Sequence, residues 1–196
     1  IYHKEDDLIE LTHKSKGWLE SDPKEFYEWF NDKKKTRPRL EAIARCLKAW
    51  KNYRETNNTN LKLPSGFELT ILATNNYADA DNLDEAFRKT VIAIDEELNK
   101  SGGFKCYRPT TPSNEDVFEN YSETRKSNFL NALKNLKNDC NKAFEEKNFK
   151  KASEILRNNQ FGTRFPLGDD KDEESKSNGL KKSLGAAIIK PKPYGY

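Results

Sequence analysis

Arg39 to Ala73, RLEAIARCLKAWKNYRETNNTNLKLPSGFELTILA, decides the fold. Leu40, Ile43, Ala44, Leu47 and Trp50 recur at i, i+3, i+4 and i+7, the period of an apolar helix face. The polar run Asn57 to Lys62 then reads as an exposed loop. A second helix opens through Leu63-Pro64-Ser65-Gly66-Phe67-Glu68, where Ser65 stands three residues before Glu68, a capping-box spacing. Phe67, Leu69, Ile71 and Leu72 bury this helix, which ends near Asn75-Asn76. Lys48 flanks the first stripe, so its stem can pack while its ammonium reaches out. A helix N-terminus presents unpaired N–H groups, and a lysine beside it adds a point charge; together they suit an anion such as a triphosphate. The spacing fits equally a solvated Lys48 and a Ser65 that only caps.

On the N-terminal side, Ser21-Asp22-Pro23 is a helix start, with Ser or Asp as cap and Pro where the missing N–H costs nothing. Phe26, Trp29 and Phe30 follow at helical spacing, and Lys33-Lys34-Lys35 closes the helix where cations suit the carbonyl end. Residues 1 to 20 read as a short extended piece running into a polar segment around Leu8, Ile9 and Leu11. On the C-terminal side, Asp81 to Lys100 carries Leu83, Phe87, Val91, Ile94 and Leu98 at 3–4 spacing and stops at Ser101-Gly102-Gly103. Phe104 to Pro112 is extended, because the residue before each proline is pushed out of the helical region. Ser113 with Asp116 fits a capped turn. Ser122 to Glu146 is a long helix, and Phe149, Ala152, Ile155 and Leu156 mark a shorter one. Residues 168–179 are charged and lack apolar side chains, as a flexible linker does. Residues 180–196 regain apolar character but are too few to fold alone.

The 196 residues suit one domain, or one with a small lobe. Charged and apolar residues each make up 34%, but 11 Phe, 8 Tyr and 3 Trp can fill a core. A net charge of +3 argues against a broad field for nucleic acid. No apolar run is long enough to span a bilayer. Cys46, Cys106 and Cys140 form neither a zinc spacing nor a disulfide framework, so a reducing cytoplasm is the expected setting. His3 and His13 make no metal motif and read as surface residues. The sequence holds no Met and opens on Ile1-Tyr2, which reads as the end of a strand; the expectation is that part of the protein lies upstream.

No P-loop, G-x-G-x-x-G or G-x-S-x-G is present, and no Cys–His or Ser–His pairing marks a nucleophile. Asp79 and Asp81 have the alternate spacing that could hold Mg²⁺ on a strand, but they fall between helices, where a turn and an N-cap account for them. The residues alone therefore give a helical domain with one weakly marked candidate anion site and no catalytic group.

The order of motifs resembles a known family. Ile1-Tyr2, then Trp18, Ser21, Asp22 and Pro23, then Trp29-Phe30, open the pattern. Leu47-Lys48-Ala49-Trp50, Leu63-Pro64-Ser65 with Glu68, Arg108-Pro109, Glu115-Asp116 and Phe161-Gly162-x-Arg164-Phe165-Pro166 complete it. This series is similar to the C-terminal portion of the bacterial cGAS/DncV-like nucleotidyltransferases, enzymes that make cyclic di- or trinucleotides from ATP and GTP in antiphage defence. The resemblance implies a mainly α chain: the C-terminal helical lobe of a polymerase-β-like nucleotidyltransferase, with one strand end at the N-terminus. Residues 1–20 would end the nucleotidyltransferase core, 21–167 form the helical domain, 168–179 the linker and 180–196 the tail. The Mg²⁺-binding carboxylates and the Gly-Ser motif would lie upstream, leaving this chain without catalytic residues. Lys48 and Ser65 would contact the donor triphosphate, Phe67 would stand near the donor base, and Arg45 is a further substrate candidate that could instead pair with Glu41. The tail suits capture by an E1/E2-like conjugating partner; the alternative reading is a non-catalytic helical module that recruits such a partner. A long RNA footprint is not expected at this charge.

Overall fold

In the computed structural model, residues 22–172 are described with their side chains, preceded by the backbone of three short strands. The strands are β1 (Tyr2–His3), β2 (Ile9–His13) and β3 (Gly17–Glu20), joined as an antiparallel meander in the order β1-β2-β3. Leu11 pairs with Leu19 and Thr12 with Trp18. The sequence reading placed one strand end here and a polar segment after it. The segment is instead a strand, because Ile9-Glu10-Leu11-Thr12 alternates apolar and polar side chains with the two-residue period of a pleat.

The helices are α1 (Pro23–Lys35), α2 (Leu40–Asn57), α3 (Gly66–Asn75), α4 (Leu83–Asn99), α5 (Glu123–Glu145) and α6 (Phe149–Leu156). The chain is mainly α, as expected. Side-chain caps start most of them. Asp22 Oδ1 accepts from the Lys24 and Glu25 N–H groups at 2.9 and 3.0 Å, and Pro23 takes the first helical position. Ser122 Oγ accepts from Arg125 N–H at 3.2 Å. The cap of α4 is Asn82, not Asp81. Asp79 accepts from Tyr77 Oη (2.8 Å) and Arg39 Nη1 (3.1 Å), while Arg39 Nη2 donates to the Asp81 carbonyl at 2.6 Å. One arginine from the start of α2 thus ties down the α3–α4 connection. Asp116 caps no helix; its Oδ1 accepts from the Cys106 and Phe118 N–H groups at 2.9 and 3.0 Å and holds the extended segment before it.

The core is organised around α2. Leu40, Ile43, Leu47 and Trp50 are fully buried, with Leu69 and Ile71 of α3, Phe87, Val91 and Ile94 of α4, and Phe129, Leu133 and Leu136 of α5. All three cysteines are buried and free. At the centre, Trp50 Nε1 donates to Gln160 Oε1 at 3.0 Å, and Gln160 Nε2 donates to Asp139 Oδ2 at 2.6 Å. This chain satisfies three buried polar groups in succession. After α6 the backbone widens into a π-helical turn, Arg157–Phe161, then a 3-10 turn, Gly162–Arg164. The carbonyls of Asn158 and Asn159 are met by Tyr53 Oη and Arg54 Nη1 of α2 at 3.4 and 3.1 Å. Gly168 to Asp172, the first residues of the stretch read as a linker, pack along α6. Gly168 N–H donates to Ser153 Oγ at 2.8 Å, Phe149 N–H donates to the Lys171 carbonyl at 3.1 Å, and Asn148 bridges Asp172. The remainder of that stretch, the 180–196 tail, and the side chains of His3, His13 and Trp18 lie outside the described residues. Among the described residues, no helix is long and apolar enough to cross a membrane.

Candidate functional site

The turn Leu63-Pro64-Ser65 joins α2 to α3 and sets the site. Ser65 is extended (φ −62°, ψ 165°), and its Oγ accepts from Glu68 N–H at 3.3 Å while the Glu68 carboxylate accepts from Ser65 N–H. The capping box read from the spacing is present. Both backbone groups of Leu63 also have side-chain partners. Leu63 N–H donates to Glu55 Oε1 at 2.9 Å, and the Leu63 carbonyl accepts from Arg125 Nη2 at 3.3 Å. Tyr121 Oη donates to Glu68 Oε2 at 3.0 Å and accepts from Arg125 Nη2 at 2.7 Å. Side chains from α2, α3 and α5 thus converge on the turn, and Tyr121 from the segment before α5 joins two of them, Glu68 and Arg125. Burial first, then the Glu68 charge, push the Tyr121 hydroxyl above its usual range, so it remains the donor.

Lys48 meets α3 at its first residue. A Cβ on Gly66 would stand 3.4 Å from Lys48 Cε and 3.6 Å from Cδ. The lysine stem therefore lies along the glycine, and this side chain, exposed as a whole, reaches the first turn of α3. Desolvation of the amine, then the nearby Arg45 charge, hold the Lys48 pKa below the lysine value. Only the Arg45 part of this shift is a positive field that favours an incoming negative charge; the desolvation part penalises a charge of either sign.

Of the four residues read as substrate contacts, the structure brings Lys48 and Ser65 together. Arg45 stands one turn before Lys48, exposed, and donates to Glu41 Oε1 at 2.7 Å, the i,i+4 alternative weighed for it. Glu41 also pairs with Lys34 at 3.1 Å; that hydrogen bond, opposed by burial and joined by the Lys34 and Arg45 charges, keeps its carboxyl below the usual range. Phe67 is half-buried. Phe26 of α1 packs on it at 4.5 Å between ring centroids, and the Arg108 guanidinium lies over it at 5.1 Å. Arg108 is itself fixed by Glu115 at 2.9 Å and by the Thr111 carbonyl at 3.3 Å. Phe67, which lies within the Leu63-Pro64-Ser65 and Glu68 segment of the motif series, is thereby a neighbour of Arg108 and Glu115.

Sequence reading missed the use of Gly66 as a seat for Lys48, and missed Tyr121, Arg125 and Arg108 as neighbours of this turn. Glu68 was read as a cap only; its second bond, to Tyr121, spans 53 positions. No local pattern announces such a partner. A second concavity of about 480 Å³ lies further along α2, lined by Asn52, Tyr53, Thr56, Phe161 and Arg164 among others. Among the described residues, no group of three or more His, Cys, Asp or Glu side chains is arranged to hold a metal, so they offer no ligand set for the Mg²⁺ that the resemblance implies.

No protein-family model matches the chain. It is 32% identical over 104 residues to a cyclic GMP-AMP synthase of Escherichia albertii, a match covering 52% of this chain and 23% of that protein. Among solved structures it is similar to a mutant of the Vibrio cholerae di-nucleotide cyclase DncV in complex with ATP, GTP and 5MTHFGLU2, with a TM-score of 0.63 and 21% identity over 77% of this chain and 39% of the other. The 3'-deoxy GTP-bound form of Escherichia coli DncV matches with a TM-score of 0.61 and 21% identity, over 77% and 40% of the two chains. The chain thus spans about a quarter of the curated relative and two fifths of the solved ones. The fold is that of a portion of DncV, in agreement with the family resemblance drawn from the motifs.

Proposed function

We propose that this chain, similar in sequence and fold to part of the cGAS/DncV-like nucleotidyltransferases, is the part of such an enzyme that binds the donor triphosphate. The observation that carries the reading is the seating of Lys48 on Gly66, which sets an ammonium beside the open N–H groups of a capped helix. Those groups are an anion cradle of fixed geometry. The ammonium would neutralise charge on the triphosphate, and the N–H groups would orient it for displacement by a second nucleotide. The product would be a cyclic di- or trinucleotide, made from ATP and GTP in antiphage defence. Mg²⁺ would supply Lewis-acid activation of the reacting phosphate, held by carboxylates outside residues 22–172.

Phe67 enters this reading differently from the sequence expectation. Phe26 and Arg108 both pack on its ring, so it serves as a wall of the site rather than as a bare face for a base. Arg45 would add field rather than a direct contact, because Glu41 holds it.

Gly66→Val tests the seating. The added branches stand where the Lys48 stem passes, so the ammonium must move. ATP affinity is expected to fall about ten-fold, the size of one charge-assisted contact. Stability should change by less than about 1 kcal/mol, because the first helical turn tolerates the exchange. Calorimetric titration with ATP, beside urea unfolding, reads both. Unchanged ATP affinity would sink the proposed cradle. The wider activity is read by supplying labelled ATP, GTP and Mg²⁺ to the full-length protein and looking for a cyclic product. Only linear or unchanged nucleotide would count against it.

A further inference from the structure

In the turn that forms the cradle, the Leu63 N–H, the Leu63 carbonyl and the Ser65 N–H are each bonded to a side chain, while the Ser65 carbonyl accepts from Leu69 N–H at 2.9 Å within α3; the side chains come from dispersed elements. Glu55 comes from α2, Glu68 from α3, Arg125 from α5 and Tyr121 from the segment before it. Pro64 has no N–H to satisfy, so Leu63 and Ser65 carry the whole linkage. Arg125 is central. Its guanidinium lies 3.5 Å from the Tyr121 ring centroid, and its Nη2 is shared between the Leu63 carbonyl and Tyr121 Oη. Tyr121 is nearly buried, and its hydroxyl passes the linkage on to Glu68. Glu68 in turn grips Ser65 N–H, one residue before the seat of Lys48.

We infer that Tyr121 and Arg125 are positioning residues for the triphosphate site: they act through Glu68 and Leu63 to fix where the first N–H groups of α3 point. This rests on the reading of Lys48 and Ser65 as anion contacts. Neither residue touches the anion. Without the Tyr121 hydroxyl, the Glu68 carboxylate keeps the Ser65 N–H but is free to rotate, and the capping turn loses its fixed angle to Lys48. Precise placement of the binding groups, more than their presence, decides affinity at such sites.

The test uses inorganic tripolyphosphate and ATP as probes in calorimetric titration of the 196-residue chain, far below its unfolding temperature. Tyr121→Phe removes one oxygen and keeps the ring, and is expected to weaken both probes about five-fold, the scale of one hydrogen bond. Arg125→Ala should do at least as much, while Arg125→Lys, which keeps a donor for the Leu63 carbonyl, should recover most of the loss. Leu133→Val, a core change distant in sequence from the turn, serves as a control that lowers stability and leaves affinity unchanged. Amide hydrogen exchange at Gly66 and Phe67 should quicken in Tyr121→Phe and not in the control; this readout stands even if Arg125→Ala does not fold. Lys48→Ala separates the two levels of the argument. If Lys48→Ala weakens tripolyphosphate and Tyr121→Phe does not, the positioning role is overturned and the anion site stands. If Lys48→Ala has no effect, the site reading fails and the positioning role fails with it. If Leu133→Val weakens binding as much as Tyr121→Phe does, the effect is general loosening and the positioning role is again overturned.

Discussion

Asp84→Asn is expected to stabilise the protein at pH 8 by about 3 kcal/mol. Asp84 is nearly buried in the first turn of α4, and neither carboxylate oxygen has a hydrogen-bond partner among the described residues. Burial pushes its pKa from 3.8 up to about 7. A rise of that size corresponds to about 4 kcal/mol of cost in the ionised form, and the helix N-terminus offsets part of it. The sign follows from proton linkage. Between pH 3.8 and about 7 the folded protein holds a proton that the unfolded chain has released. Stability therefore falls as pH rises through that window and levels off above it. Asparagine carries no charge to desolvate, so the variant's profile should be flat in this respect. Urea unfolding at pH 4, 6 and 8 reads the difference: wild type and variant should nearly coincide at pH 4 and separate by pH 8. Parallel curves at all three values would show that Asp84 is ionised at no cost. Burial and then the Asp84 charge raise the Cys46 thiol to about 12, and burial followed by the Asp139 charge raises that of Cys140. Both cysteines stay protonated and inert.

Gly162→Ala is expected to cost about 4 kcal/mol. Gly162 follows the π-helical turn with φ 73° and ψ −169°, a region open to glycine almost alone. A Cβ there would stand 2.4 Å from Cε2 of the Tyr53 ring and 2.6 Å from Cδ2. Strain and overlap each contribute about 1–3 kcal/mol. The Tyr53 ring cannot simply turn away, because its hydroxyl meets the Asn158 carbonyl on the same turn. Adding Tyr53→Ala to Gly162→Ala relieves the overlap but not the strain. The double variant should therefore fall short of the sum of the two single losses, measured by thermal or urea unfolding. Full additivity would mean that the ring and the glycine do not share this space.

Much of the fold was legible because its signals are local. The α2 stripe from Leu40 to Trp50 is fully buried, and the Ser65–Glu68 spacing gives the capping box it promises. Ser21-Asp22-Pro23 resolves to an Asp22 cap with Pro23 in first place. The β2–β3 pairing was missed because each strand is short, although Ile9 to His13 alternates. Asp84 had a signal that went unread. It lies three residues before Phe87 and seven before Val91, on the apolar face of α4, where a first-turn acid is normally exposed. The cap falls on Asn82, whose side chain accepts from Glu85 N–H, while Arg39, 42 residues away, takes the Asp81 carbonyl. The candidate site divides in the same way. Lys48 and Ser65 were found from local spacing and the family pattern. The Tyr121–Glu68 and Arg125–Leu63 bonds span 53 and 62 positions and leave no periodic trace.

The central claim is that a triphosphate settles on the first turn of α3 beside Lys48. Two-dimensional ¹⁵N NMR of the chain, titrated with ATP and then with tripolyphosphate, locates the ligand directly. The account predicts that the amide signals of Gly66 and Phe67 move most, with both ligands, and that Lys48→Ala removes the shifts. Movement centred on Asn52 and Arg164 in the second concavity, with Gly66 and Phe67 unmoved, would contradict it.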